Sequence, residues 1–177
     1  MTLPLYRRLL GERFEHLPPR VRELHDVQDK SLWTGRADVE RGRSMASRCL
    51  ATVLGLPPSG RDQVLEVRFQ AVKGREDWQR SFNGARFRSV QYERGGFLYE
   101  RVGPTTFVFA LETPADGLSL KLEGVRFVGV PLPRFAWPSV CTFECEREGR
   151  YCFQVEAALP MIGRVVRYAG WLERQPS

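Results

Sequence analysis

From Asp62 onward, apolar and polar residues alternate with the two-residue period of β-strands. Leu65, Val67, Phe69 and Ala71 fall in one phase, with Glu66, Arg68 and Gln70 between them. Segments of the same kind run over 85–94, 97–102, 106–112, 118–130, 139–147, 151–159 and 165–172. Turn-forming residues divide them: Gly95-Gly96, Gly103-Pro104, Pro114-Ala115-Asp116-Gly117 and Glu148-Gly149. Within 118–130 the apolar phase switches from Leu118, Leu120 and Leu122 to Val125 and Phe127, with Gly124 at the switch. That predicts a bulge or sharp bend, of the sort that lets a long antiparallel sheet curl toward a barrel.

The first third is mixed. Residues 4–10 suit a short helix, led in by Thr2 or Leu3 and stopped by Gly11. Pro19 begins a second short helix over 19–25, and 32–41 alternates as a first strand. Ser44 caps a third helix whose apolar stripe is Ala46, Cys49, Leu50, Val53 and Leu54; Gly55 and Pro57-Pro58 end it. The fold expected is α+β, one domain over 1–177. A strongly curved antiparallel β-sheet, a half or full barrel, carries two or three short N-terminal helices over one side or mouth.

The run Glu76-Asp77-Trp78-Gln79-Arg80-Ser81-Phe82 carries the candidate chemistry. On a strand Glu76, Trp78, Arg80 and Phe82 share one face, which is neither an ordinary core stripe nor an ordinary solvent stripe. It reads as the lining of a partly polar pocket, or as an ion pair clasped by aromatics. Of the adjacent Glu100 and Arg101, only one can look the same way. Together with Phe107 and Phe109, these residues are the candidate ligand-binding set. Glu76 and Glu100 would serve as paired carboxylates if the fold joined them.

The hairpin around Glu148-Gly149 depends on register. A two-residue turn sets Cys145 opposite Cys152, within disulfide reach. A three-residue loop instead gathers Cys141, Phe143, Cys145, Tyr151, Phe153, Val155 and Ala157 on one face, with Thr142, Glu144, Glu146, Cys152, Gln154 and Glu156 on the other. That segregation favours the longer loop, with free thiols and with Cys141 and Cys145 as small core residues.

Composition narrows the function by exclusion. The net charge is +6, but only three of the 27 basic residues are Lys and the arginines are spread along the chain. This argues against a nucleic-acid face, which concentrates charge. No apolar stretch approaches a membrane span, and the N-terminus lacks the order of a secretory signal, so a cytoplasmic protein without a transmembrane segment is expected. Four cysteines without a Cys-x-x-Cys pair and two histidines give no metal site. Neither a Walker loop nor a dinucleotide glycine motif occurs, and no cofactor is expected. His25 reads as a capping or core histidine and His16 as a surface loop residue. The segment 129–138, with Pro131, Pro133 and Pro138 among apolar side chains, reads either as a lid or docking loop or as a loop packed on the core.

Several strings resemble an uncharacterised bacterial domain-of-unknown-function family. They include Leu17-Pro18-Pro19, Leu24-His25, Gly35-Arg36-Ala37 and Leu56-Pro57-Pro58-x-Gly60. Further along come Glu76-x-Trp78-x-Arg80-x-Phe82, Glu100-Arg101-x-Gly103-Pro104, Gly129-x-Pro131-Leu132-Pro133 and Tyr168-x-Gly170-Trp171-Leu172. The family occurs alone, fused C-terminal to saccharopine-dehydrogenase-like NAD-binding domains, and in multi-span membrane proteins. The resemblance implies a small-molecule or lipid context and a dehydrogenase-like or membrane protein partner, but no assigned activity. The residues themselves point first to a non-catalytic binding domain for an amphipathic or lipid-like molecule, with an acidic head on Arg80. The alternatives are an isomerase- or hydrolase-type enzyme using Glu76 and Arg80, and a protein-interaction module docking through 129–138.

Overall fold

The computed structural model describes residues 3–176; Thr2, offered above as a lead-in to the first helix, lies outside them. Two short helices, α1 (Leu5–Leu10) and α2 (Pro19–His25), flank a 3-10 helix (Gly11–His16). Then follow β1 (Lys30–Arg41), α3 (Met45–Val53), β2 (Gly60–Val72), β3 (Arg75–Phe82), β4 (Ala85–Arg94), β5 (Phe97–Val102) and β6 (Thr105–Glu112). The chain continues through β7 (Gly117–Phe127), a two-residue β8 (Val130–Pro131), β9 (Ser139–Arg147), β10 (Arg150–Leu159) and β11 (Gly163–Arg174). Neighbours pair antiparallel from β1 round to β7; β7 then joins β9, β9 joins β10, and β11 returns to β1. The result is a closed ten-stranded barrel, with β8 a spur on β7.

Two-residue turns drive this meander. Lys73-Gly74, Asn83-Gly84 and Glu148-Gly149 place both turn residues at positive φ, the geometry whose twist matches that of paired strands. The expected irregularity at Gly124 is present: the β6–β7 register shifts between Val108 and Phe109, opposite Gly124 and Leu122.

The structure corrects three expectations. The 118–130 strand ends at Phe127, because Val128-Gly129 turns the chain with both residues at positive φ; a β-branched residue is not a turn signal. The β9–β10 hairpin takes the two-residue turn, pairing Cys145 with Cys152 and Phe153 with Glu144. Thr142, Glu144 and Glu146 therefore share the inner face with Tyr151 and Phe153, and Cys141 is exposed rather than core. Segregation of polar from apolar residues selects a register only where the covered face is purely apolar, and this interior is not. All four thiols are free, and Cys145 is buried. Third, α3 turns Ser47 and Ala51 inward and leaves Ala46, Cys49 and Val53 exposed. The Ser47 hydroxyl donates to the Arg164 carbonyl at 2.7 Å, and this polar anchor sets the helix rotation.

The barrel's two ends differ. Leu5, Tyr6, Leu10, Phe14, Val21 and Leu24 plug one end with buried side chains. At the other end emerge the β1–β2, β3–β4, β5–β6, β7–β9 and β10–β11 connections, tied together by Ser44 to Ile162 and Val128 to Pro104 hydrogen bonds. α3 and a 3-10 turn (Arg134–Ala136) lie in these connections, but neither contributes a side chain to the barrel's main hydrophobic core among the described residues.

Candidate functional site

Alternation along β3 turns Glu76, Trp78, Arg80 and Phe82 inward, as the sequence pattern implies, with Glu76 and Phe82 each 1% exposed. β4 contributes Phe87, Ser89 and Gln91 to the same interior, and β5 contributes Leu98 and Glu100. Arg101, offered as a site residue, points outward and is exposed: its neighbour Glu100 takes the inner position, and adjacent strand residues face opposite sides. Phe109 is buried in the core and Phe107 half-buried nearer the open end.

A chain of polar contacts crosses the barrel. The Tyr6 hydroxyl donates to Gln91 Oε1 at 3.0 Å, and Gln91 Nε2 donates to Glu100 Oε1 at 3.2 Å. Arg80 lies 3.6 Å from Glu100 and donates to the Ser89 hydroxyl at 2.9 Å. Its guanidinium sits 4.8 Å above Trp78 and 5.4 Å from Phe87, a cation held between aromatic faces. A second cluster joins α2 to β9: His25, fully buried, meets Glu144 Oε2 at 2.5 Å and stacks on Tyr6 at 3.7 Å. Burial, reinforced by Glu144, raises the Tyr6 and Tyr151 hydroxyls well above their ordinary range; burial pushes Tyr168 up to about 12. All three remain neutral hydroxyl donors at physiological pH.

Glu76 accepts from the Trp78 indole at 3.1 Å, while its other oxygen has no partner among the described residues. The two proposed carboxylates do not meet: Gln91 pairs with Glu76 on one side and Glu100 on the other. That places them two strand spacings, roughly 10 Å, apart. Glu76 and Arg80 are likewise separated along β3 by about 13 Å of strand rise, with Trp78 between them.

Burial raises the Glu76 pKa above its ordinary 4.5, only partly offset by the Trp78 hydrogen bond. Between 4.5 and the raised value the unfolded chain is ionised while the folded chain keeps its proton. The contribution of Glu76 to stability is therefore greatest below 4.5, falls as pH rises through that window and levels off above the folded value. Glu76→Gln, which still accepts from Trp78, is expected to remove this decline. Urea midpoints of both proteins from acid to neutral pH check it: a variant that keeps the full wild-type decline would refute the assignment.

A cavity of about 60 Å³ opens among these groups, lined by Trp78, Arg80, Phe82, Glu144, Tyr151 and Tyr168 with aliphatic neighbours. Toward the open end the inner wall turns apolar yet stays half-buried, at Phe107, Leu122, Val140 and Ala157. Sequence reasoning missed Glu144, Gln91 and Tyr6 as interior polar groups. The signal for Glu144 was the Glu148-Gly149 dipeptide itself, which fits a two-residue turn as well as Asn83-Gly84 does.

A family model described as "Domain of unknown function (DUF4166)" matches residues 17–172. The chain belongs to the DUF4166 family. The matched span holds every interior polar residue above except Tyr6, so the DUF4166 barrel brings its own His25–Glu144 and Arg80–Glu100 pairs. No curated protein matches the sequence. Among solved structures, the crystal structure of Rv2717c from M. tuberculosis is similar, with a TM-score of 0.48 and 13% identity over 90% of this chain and 99% of that chain. At that distance nothing about function is carried over to this DUF4166 protein.

Proposed function

We propose that this DUF4166 domain is a non-catalytic binding protein for a small amphipathic molecule, its head on Arg80 and its apolar body toward the open mouth. The observation that carries this reading is the placement of Arg80 at the wall of the interior cavity, below a half-buried apolar rim. Ligand pockets are typically concave and apolar with a few convergent polar groups. About 60 Å³ is space for roughly two water-sized groups, enough for a carboxyl head but not for a chain. The body would lie against Phe82, Phe107, Leu122 and Val155.

Charge limits the head group. Glu100 faces Arg80, Glu144 meets His25, and burial favours protonated Glu76. Arg80 thus already has an acidic neighbour, which suits a singly charged or protonated carboxyl and leaves a phosphate dianion uncompensated. The enzyme reading draws no support from an arrangement that keeps Glu76 and Arg80 apart.

Decanoate titrated against tryptophan fluorescence tests the proposal. Arg80→Met combined with Glu100→Gln, which leaves the net charge of the interior unchanged, is expected to weaken binding at least about tenfold with little change in melting temperature. Decanoate binding equally to the variant, or failing to bind the wild type, would sink it. Comparing native with denatured mass of the purified protein would identify any ligand carried along.

A further inference from the structure

α3 presents a problem of partnership. Its apolar stripe turns away from the barrel, held so by Ser47 on the Arg164 carbonyl and by Ser44 on Ile162. Met45 and Val53 are exposed as a result. The other loops of the same end add Val128, Val130, Met161 and Phe135, the last 81% exposed although Trp137 beside it is anchored through Nε1 to the Leu132 carbonyl at 2.8 Å. Most of the large exposed apolar side chains thus crowd one end of the barrel. Scattered apolar residues are ordinary, but a contiguous set around a mouth marks a contact surface.

Charge at that end is equally one-sided. The connections 42–59, 83–84, 103–104, 128–138 and 160–162 contain no Asp or Glu, while Arg43, Arg48 and Arg134 belong to them. None of these three arginines has a carboxylate partner among the described residues. The plugged end is mixed: Glu12, Glu15, Glu23, Asp26 and Asp29 before β1 stand among Arg7, Arg8, Arg13, Arg20 and Arg22, and its turns hold Asp116 and Glu148 beside Lys73.

We infer that the open end of the barrel docks on an anionic lipid bilayer. Exposed apolar side chains and unpaired arginines, on loops that hold no acid, form the pattern that sits at a headgroup boundary. α3 would lie with its outward stripe in the interface, Phe135 would insert beside it, and the arginines would face anionic headgroups. The mouth of the barrel would then open onto the bilayer. Docking depends on the rim alone and not on Arg80, so its failure and that of the ligand reading are separable.

Co-sedimentation of the full chain with vesicles tests this. Vesicles of phosphatidylcholine are compared with vesicles also holding about 30% phosphatidylserine, at low and high salt. Binding at least tenfold tighter to the anionic vesicles, and weakened by salt, is expected. Arg48→Glu with Arg134→Glu should lower it at least tenfold, at roughly fivefold per arginine lost. Phe135→Ser should lower it severalfold without changing the far-ultraviolet dichroism. Arg94→Glu, half that charge change and placed at the plugged end, should bind as wild type. The inference fails if anionic vesicles do not sediment the protein at low salt, or if Arg94→Glu loses as much as the rim variants. It fails equally if Phe135→Ser abolishes a concentration-dependent dimer while vesicles bind nothing, which would assign the rim to a second copy of the chain.

Discussion

Gly170→Ala is expected to lower stability by about 3 kcal/mol or more, the upper end of what one extra methyl costs in a packed interior. The methyl would arrive 2.0 Å from the Arg36 carbonyl oxygen and 2.8 Å from the Ala37 Cα, both backbone atoms that no rotamer change can move. Gly35 faces the same problem from the other strand, its Cβ position lying 1.9 Å from the Trp171 carbonyl oxygen. These two glycines lie within the β1–β11 pairing, the seam where first and last strands close the barrel. Gly124→Ala is the control, since its added methyl meets only the Val108 side chain, at 3.4 Å. For a domain of this size, 3 kcal/mol corresponds to a fall of roughly 6–12 °C in melting temperature. Should thermal scans show Gly170→Ala melting no lower than Gly124→Ala, close approach at the seam is not what those glycines supply.

Glu144→Leu is expected to cost about 3 kcal/mol, because it leaves His25 buried and without a hydrogen bond. Nδ1 of His25 already has no partner among the described residues, and Nε2 has Glu144 alone. Breaking a buried polar pair from one side strands the other group, whereas replacing both sides removes the penalty. His25→Phe keeps an aromatic face for Tyr6, which stacks on the imidazole at 3.7 Å. The double variant His25→Phe with Glu144→Leu should therefore be more stable than the sum of the two single losses by at least about 1 kcal/mol. Denaturant unfolding of the four proteins measures this coupling; strictly additive losses would mean that the pair does not act as a unit.

The residues in these predictions were not equally legible beforehand. Period-two alternation over β2 to β7 and the Gly-containing turns were enough to expect a curled antiparallel sheet, and the phase switch at Gly124 marked the bulge found there. The inward face of β3 was readable for the same reason, since side chains on a strand alternate whatever they pair with. Between Glu100 and Arg101 alternation shows only that the two face opposite sides, not which one is inside.

Local pattern therefore determined the strands, most turns and which residues of one strand share a face. Tertiary structure alone decided closure at the Gly35–Gly170 seam, the outward turn of α3 and the inner placement of Glu144. Each depends on a partner far away in the chain: His25 lies 119 residues from Glu144, and Ser47 is 117 residues from Arg164. A buried carboxylate is tolerated only where a donor is waiting, and the donor's position is a property of the fold rather than of the neighbouring sequence.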